Sequence, residues 1–516
     1  MKSEFVEQTH KWLRLPDDVI AQYNALDTYT TARLVPVLEG LLASNKQLDF
    51  YQRWFREMAP VVDRMQARGV GVLDVEAQRT YKVALRKELD EVEEPVLAAV
   101  PFFRELETEV HTWYADTLRE HPTWVKKAKK GYDSRLKKVR KRRSGFFNRA
   151  GGGGSTDLSK LLFDHLGLKA APKTLDRPAR STSGEALVYV LQHLRVKDEP
   201  HRWVLENLLH RARLSTILTR YMVVDCDRDG RVRPLIKLGG TETLRLAYAG
   251  DKGEAIQQWP QEARHVIKAW DGCLYLARDY SAIEARLIAI LSQDTAMLEV
   301  FAAGGDVHKQ NAIDLGLASA GTWDAMDPGV RSATRNFAKT FLYGLSYGGS
   351  PETMKTKLYC TCPRCRDKVP QTLALGRDDI RRAADQWSKK HEPILQWRAA
   401  LVETVKGPRG DHTWTSPFGY RRFFLEPRSQ AERSIYNFPL QHCASQIINH
   451  AMVSLDAAGL PLVLQMHDEL MAEVPVERVA YWEGAMRETM EAKVPELGGW
   501  SFPTEGARGR HWGEVK

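Results

Sequence analysis

The stretch CLYLARDYSAIE, residues 273–284, joins a short apolar run to the start of an amphipathic pattern. Residues 273–277 have the composition of a buried strand, and Ile283–Leu291 has the periodicity of a helix. Asp279 therefore stands where a strand is predicted to pass into a helix. Its carboxylate suits either a helix cap or a metal ligand.

A second aspartate interrupts another apolar run. Leu462–Val474 predicts a strand, a tight turn at His467-Asp468 and a second strand. If the strands that carry Asp279 and Asp468 are neighbours in one sheet, their carboxylates lie side by side, as a pair of divalent cations requires. The alternative for Asp468 is an ordinary turn residue.

A regular spacing of cations and aromatics lies between the two aspartates. Every fourth residue from 335 to 347 is large and either basic or aromatic, and Gly348 follows: Arg335, Lys339, Tyr343 and Tyr347. Four-residue spacing places these side chains on one face of a helix. Two cations and two aromatic rings suit a nucleoside triphosphate, since cations neutralise phosphate oxygens and rings stack on a base. An amphipathic helix with a solvated basic edge is the alternative.

The charge of the chain is concentrated in one segment. The 516 residues are 43% hydrophobic and 27% charged, which indicates a globular protein, and the net charge is +9. Residues 126–143 hold eleven Lys or Arg and one acid, a charge of +10, so the remainder carries −1. A basic block of this size is usually a solvated tail or a contact for a polyanion, and nucleic acid is the commonest polyanion partner. Five of its cations are DNA-binding candidates: Lys126, Lys127, Lys137, Lys138 and Arg142.

Several other classes of protein are disfavoured. No apolar run approaches the roughly 20 residues of a membrane-spanning helix. No secretory signal follows Met1, and six cysteines do not make a disulfide scaffold. We therefore expect a cytoplasmic protein without a membrane partner.

Taken together, these motifs resemble family A DNA polymerases, the bacterial DNA polymerase I type, over about residues 15–516. The first palm motif of that family, D-Y-S-x-I-E, is similar to residues 279–284, its fingers motif to Arg335-x3-Lys339-x3-Tyr343-x3-Tyr347-Gly348, and its second palm motif, H-D-E, to residues 467–469. Lesser matches are Thr241-x-Thr243-x-Arg245-Leu246, Asp306-Val307-His308, Glu432-Arg433 with Asn437-x-Pro439-x-Gln441, and His511-Trp512-Gly513.

The resemblance implies an α+β, right-hand fold of thumb, palm and fingers, in which long helices back an antiparallel palm sheet. The expected divisions are a C-terminal remnant of a 3′–5′ exonuclease domain at 1–50, the thumb at 51–235 with a basic insertion at about 105–147, the palm at 236–294 and 431–516, and the fingers at 295–430 with a Cys-rich insertion at about 358–375.

The resemblance also implies template-directed addition of dNTPs to a primer 3′ end, with release of pyrophosphate. Two Mg²⁺ ions are expected on Asp279, Asp468 and the carbonyl of Tyr280, with Glu469 in support. Lys339 is the expected proton donor to pyrophosphate. The residues expected to bind the dNTP are Arg335, Lys339, Tyr343, His308, Glu284 and Tyr347.

Two side chains are implied to select the nucleotide sugar. Glu284, tethered to Tyr347, is expected to fill the space of a ribose 2′-hydroxyl. Tyr343 stands where many relatives carry Phe, which implies ready use of dideoxynucleotides; simple packing is the alternative. The residues expected to contact the primer-template minor groove are Arg245, Arg433, Asn437, Gln441 and His467.

The chain departs from the family pattern near its N-terminus. Tyr23-x3-Asp27 resembles the last exonuclease motif, but no upstream D-x-E precedes it, so no complete proofreading exonuclease is expected. The missing part is either supplied by a separate subunit or lost.

Two further departures are insertions. The basic one suggests a grip on the duplex, with docking of a partner such as a processivity subunit and a passive insertion as alternatives. Cys360, Cys362 and Cys365 provide three ligands of a Zn²⁺ site, which His391 or Cys443 would complete; free thiols are the alternative.

We therefore predict a DNA-directed DNA polymerase that binds primer-template DNA and dNTPs. Its rivals are an RNA polymerase or reverse transcriptase of similar fold and a non-catalytic DNA-binding paralogue. The short exonuclease remnant suits a phage or mobile-element enzyme, nucleoid-associated or in an infected cell.

Overall fold

The computed structural model describes residues 17–99, 101–144, 156–170, 180–182, 184–193, 199–249, 255–349 and 377–515. The three candidate zinc ligands, Cys360, Cys362 and Cys365, lie outside these residues. Arg142 lies in a described helix, but its side chain is not described.

Helices make up most of the described chain. The α-helices are α1 (Asp17–Ser44), α2 (Leu48–Arg68), α3 (Val75–Ala99), α4 (Pro101–Glu120), α5 (Val125–Ser144), α6 (Thr156–Lys160), α7 (Gly184–His193), α8 (Glu199–Thr216), α9 (Ile283–Ser292), α10 (Thr295–Ala302), α11 (Val307–Asp314), α12 (Ala320–Trp323), α13 (Pro328–Ser346), α14 (Arg377–Lys390), α15 (Glu392–Lys406), α16 (Arg428–Ala457) and α17 (Val479–Met490). Single wider turns, Leu161–His165 and Ile217–Tyr221, extend α6 and α8.

The strands are short and pair antiparallel. They are β1 (Gly71–Leu73), β2 (Arg231–Val232), β3 (Leu235–Lys237), β4 (Ala247–Ala249), β5 (Ile267–Lys268), β6 (Cys273–Tyr280), β7 (Thr413–Thr415), β8 (Arg421–Phe423), β9 (Leu462–Met466), β10 (Glu469–Pro475) and β11 (Thr504–Gly509). A four-stranded sheet has the order β11-β6-β10-β9, and three small sheets contain β2-β1-β5, β3-β4 and β7-β8.

The four-stranded sheet sits at the centre of the largest core. All of β9 and five of the seven residues of β10 are buried, because helices α2, α16 and α17 pack against the sheet with side chains such as Met65, Met452, Leu455 and Trp482. Burial of this apolar surface is the main force that fixes the sheet. The sheet that carries Asp279 and Asp468 is therefore firmly packed.

A second, smaller core lies among α3, the α6 segment, α7 and α8. It is formed by aliphatic side chains such as Val96, Leu162, Leu187 and Leu205. It shares no residue with the large core, although α3 and α8 contribute to both: Leu85 and Leu214 of these helices lie in the large core.

One predicted strand is longer in the structure. Strand β6 continues past the predicted Ala277 to Tyr280, because β10 and β11 pair with both of its edges. Residues 377–406 form two helices, interrupted at His391; Pro393, which lacks an N–H group, stands in the first turn of α15. In the described part of the predicted exonuclease remnant, residues 17–50, α1 passes through Pro36 and ends at Ser44, and α2 begins at Leu48.

The basic segment lies in a pair of packed helices. Helices α4 and α5 pack as a hairpin, here called the basic hairpin (residues 101–144). Val110, Ala128 and Val139 are buried between the helices, and Trp113 packs on Gly131. Local helix propensity and these contacts order a segment whose charges alone favour solvation.

Among the described residues, no helix combines the length and apolar character needed to cross a lipid bilayer.

Candidate active site

The sheet brings the two predicted carboxylates to one place. Asp279 of β6 is directly opposite Glu469 of β10, and the N–H of Tyr280 donates to the carbonyl of Asp468 over 3.2 Å. Asp468 therefore lies in the turn next to Asp279.

The turn that holds Asp468 has a special backbone. His467 has φ of +55°, a left-handed conformation in which His is more tolerated than most residues. Gln465 fixes this turn, since its amide donates to the carbonyl of His467 over 2.6 Å. The position of Asp468 is thus set by hydrogen bonds as well as by strand pairing.

The electrostatics around Asp468 favour a bound cation. Burial raises the pKa of its carboxyl to about 7, and the negative charges of Glu284 and Asp279 contribute, while Arg245 and Lys339 oppose the rise. A carboxylate that is costly to ionise beside two others is stabilised by a divalent cation, so Asp279 and Asp468 fit a metal pair.

No group of three or more His, Cys, Asp or Glu side chains in the described ranges is arranged to hold a metal ion. Mg²⁺ commonly takes one or two protein carboxylates and completes its shell with water and substrate phosphates. The donor set here, two carboxylates and the nearby Tyr280 backbone, is of that kind. Tyr280 itself turns its side chain into the core.

The predicted triphosphate face lies on α13. Arg335 and Lys339 follow one another along it, and Lys339 is exposed. Arg335 pairs with Asp306 at 2.6 Å (Nε to Oδ2), and Asp306 caps α11, the helix that carries His308. This ion pair ties α13 to α11, a partnership that the D-x-H motif alone did not reveal.

His308 is almost wholly buried beneath this face. Burial lowers its pKa to about 4, and the positive charge of Arg335 contributes. At neutral pH His308 is therefore uncharged, so it can offer a hydrogen bond to a phosphate but no positive charge. Its ring meets the edge of Tyr343 at 5.7 Å between centroids.

Glu284 is held at both carboxylate oxygens. The hydroxyl of Tyr347 donates to Oε2, as the sequence predicted, and Arg245 Nη2 donates to Oε1 over 3.2 Å. Tyr343 and Tyr347 stack with a separation of 6.0 Å between ring centroids. Glu284, in the first turn of α9, thus has one fixed orientation beside Asp468.

The residues predicted to contact the minor groove lie on α16, at the turn of the central sheet and in the loop before β4. Arg433, Asn437 and Gln441 repeat every fourth position along α16, and His467 is exposed at the sheet turn. Arg245, also predicted to contact the minor groove, pairs with Glu284 in this structure.

The loop before Arg245 holds a residue other than glycine in the left-handed backbone region. Leu244 has φ of +62°. The loop keeps this strained conformation because Asn449 donates to the Leu244 carbonyl and Thr241 to the Arg245 carbonyl. The Leu244 side chain is buried, so apolar packing also offsets the strain of about 1 kcal/mol.

The two residues predicted to complete the zinc site, His391 and Cys443, are both buried in the structure. His391 is buried, with Nδ1 3.1 Å from a carboxylate oxygen of Asp294. Cys443 is buried within α16. The zinc site stays a sequence-based prediction.

The match to the model of DNA polymerase family A covers residues 123–514. The chain belongs to DNA polymerase family A. It is 30% identical to the thermostable DNA polymerase I of Thermus aquaticus, over 66% of this chain and 39% of that one. It is 27% identical to the thermostable DNA polymerase I of Thermus filiformis, over 97% of this chain and 53% of that one.

A solved polymerase domain has a similar fold. The structure described as the POL domain of Pol1 from M. smegmatis in complex with DNA primer-template and dNTP aligns with a TM-score of 0.62 and 20% identity. The alignment covers 94% of this family A chain and 74% of that one. The α+β polymerase fold is therefore established, although the chain spans only about 40 to 50% of the Thermus relatives.

Proposed function

We propose that this family A chain is a DNA-directed DNA polymerase that extends a primer 3′ end with dNTPs and releases pyrophosphate. The observation that supports this most directly is the carboxylate pair of Asp279 and Asp468 beside the basic and aromatic face of α13. The Pol1 domain of similar fold was solved with primer-template and dNTP, which agrees with the proposal.

Asp279, Asp468 and the Tyr280 carbonyl would hold two Mg²⁺ ions, which would supply Lewis-acid chemistry that makes the primer 3′-hydroxyl more acidic and offsets phosphate charge. The chain's own side chains do the rest. Arg335 and Lys339 bind the triphosphate, and neutral His308 donates a hydrogen bond to it. Lys339 gives a proton to the leaving pyrophosphate. Glu469 lies beside the carboxylate pair and supports it.

The first test is extension of a labelled primer on a DNA template by the purified chain, with Mg²⁺ and dNTPs. A second primer with a mismatched 3′ end tests the exonuclease remnant. Extension without removal of the mismatch supports a polymerase that lacks proofreading. Incorporation of rNTPs alone would support the RNA polymerase alternative. Extension of the primer on an RNA template would show that the chain can also act as a reverse transcriptase.

Tyr343→Phe is expected to raise discrimination against dideoxynucleotides by about a hundredfold, because the Tyr343 hydroxyl takes the place of the missing 3′-hydroxyl. Burial and the nearby Glu284 raise the pKa of Tyr343, so its hydroxyl keeps its proton. The measurement is the ratio of kcat/KM for dNTP and ddNTP. An unchanged ratio would mean that Tyr343 serves only in packing.

We further propose that the basic hairpin grips duplex DNA. Helix α4 carries five acids and two Arg, whereas α5 carries eleven cations and one acid, so the positive charge lies on one helix of the pair. Lys126, Lys130 and Lys137 are exposed and occupy the α5 face opposite buried Ala128 and Val139.

The aromatic side chains of the hairpin favour a duplex over a single strand. Single-strand binding commonly uses free aromatic faces for base stacking. Here Lys127 and His121 each lie 4.0 Å from the Trp124 ring, and Arg135 lies 4.1 Å from Trp113. Phosphate binding by the exposed lysines therefore fits better than base stacking. Lys127 and Arg135 instead stabilise the hairpin through their contacts with Trp124 and Trp113.

The triple variant with Lys126, Lys130 and Lys137 changed to Gln is expected to reduce the salt dependence of duplex binding. The slope of log K against log salt should fall by about 2.7, because each phosphate that a lysine neutralises contributes about 0.9. The matched control changes three exposed lysines elsewhere, Lys87, Lys389 and Lys493. Equal slopes for the two variants would contradict the duplex grip and favour a protein partner, such as a separate exonuclease or processivity subunit.

A further inference from the structure

An arginine from another helix caps the C-terminal end of α13. Arg398 of α15 donates from Nη1 to the carbonyl of Leu345 over 3.0 Å. Its guanidinium lies over the ring of Tyr436 of α16, 4.3 Å from the centroid, and Tyr436 is buried. The last carbonyls of a helix lack partners within the helix and carry partial negative charge, so a cation there is favourable.

The chain that leaves α13 is fitted closely around this pair. Gly348 has φ of +74°, and a Cβ atom there would lie 2.0 Å from the Tyr436 hydroxyl and 2.9 Å from Arg398 Nη2. Only glycine fits this approach. Arg398 and Tyr436 thus define the path of the backbone immediately after Tyr347.

Tyr347 lies between the two points that Arg398 and Tyr436 fix. Its hydroxyl is the donor to Glu284, and its ring stacks on Tyr343. A shift of the Leu345–Gly348 turn would therefore move the Tyr347 hydroxyl away from the Glu284 carboxylate. Nothing in the spacing of the sequence motifs connects Arg398 to this hydrogen bond.

We propose that Arg398 is a positioning residue for sugar selection: it fixes the C-terminal turn of α13 against α16, and so holds Tyr347 where it orients Glu284. This inference rests on the proposed polymerase function.

Arg398→Gln is expected to reduce discrimination between dNTP and rNTP by about tenfold and to raise the KM for dNTP, because small displacements at a site cost up to about a hundredfold. The kcat at saturating dNTP and the affinity for duplex DNA should change by less than about threefold, since catalytic and DNA-binding side chains remain. Tyr436→Leu should behave like Arg398→Gln, whereas Tyr436→Phe keeps the stacking ring and should retain discrimination.

The matched control is Arg428→Gln. Arg428 also joins α16 to α15, through Glu403 at 3.1 Å, and both of these side chains are more than half exposed. If Arg428→Gln lowers discrimination as much as Arg398→Gln, the effect belongs to general packing and the proposal is wrong. Unchanged discrimination in Arg398→Gln would overturn it equally.

A second readout does not depend on polymerase activity. Hydrogen exchange of the free protein should show faster exchange at the Tyr347 and Gly348 amides in Arg398→Gln, because these amides bond within the fixed turn, to the carbonyls of Tyr343 and Leu345. Unchanged exchange would contradict the positioning role even if the chain proved inactive in primer extension.

Discussion

Asp468→Asn is expected to lower primer extension by at least about a thousandfold, equivalent to about 4 kcal/mol of transition-state stabilisation. Asn keeps the size of the side chain but removes the charge that a divalent cation requires. The measurement is single-turnover extension at saturating dNTP and Mg²⁺. Residual activity within about tenfold of the wild type would mean that Asp468 is not a metal ligand.

The same variant provides its own test of folding. The pKa of Asp468 is raised to about 7 in the folded chain, above its ordinary value of 3.8, so the folded state holds this proton more tightly than the unfolded state. Ionisation therefore costs stability as pH rises from about 4 to about 7.

In the presence of a chelator, Asp468→Asn should consequently be more stable than the wild type above about pH 7, by on the order of 2 kcal/mol once solvent screening is allowed for. No gain is expected below about pH 4. Urea unfolding at about pH 5 and about pH 8 measures the difference. A loss of stability at the higher pH would show that ionisation of this carboxylate does not destabilise the fold.

Glu284→Ala should have the second large effect, a loss of about a hundredfold in discrimination between dNTP and rNTP. Tyr347 and Arg245 hold both oxygens of Glu284, so its side chain has one orientation from which to exclude a 2′-hydroxyl. Removal of the side chain opens that space. The measurement is the ratio of kcat/KM for dNTP and rNTP.

Glu284→Gln is the matched control. Gln has nearly the same volume and can still bond to Tyr347, so discrimination should remain within about fivefold of the wild type. If Gln and Ala lose discrimination equally, selection depends on the charge of Glu284 rather than on its bulk.

The sequence predicted the local elements that carry the candidate site residues, because these residues lie in short motifs. The four-residue spacing of α13 and the strand-turn-strand pattern around Asp468 are local, and local periodicity is what a single sequence records best. The bounds of the elements were predicted less well. Strand β6 runs on to Tyr280 because β10 and β11 pair with it, and those partners are about 200 residues away along the chain.

The contacts that orient the site were not predictable in the same way. Arg335 meets Asp306, Arg245 meets Glu284, and Arg398 reaches Leu345. Each pair joins residues between 29 and 53 positions apart. The basic segment, similarly, showed its charge but not its hairpin, because the buried contacts of Trp113 and Val110 form only when α4 packs on α5.

By itself, the sequence determined which residue types this chain brings to its site: two aspartates at strand ends, a helix face with two cations and two tyrosines, a glutamate at the start of the next helix, and a basic segment. Those follow from side-chain chemistry and from the periods of helix and strand. Tertiary structure alone decided that Asp468 is costly to ionise, that His308 is neutral and that Glu284 is held in one orientation. Each of these depends on burial and on charges brought close by the fold, and no local pattern encodes the distance between residues remote in sequence.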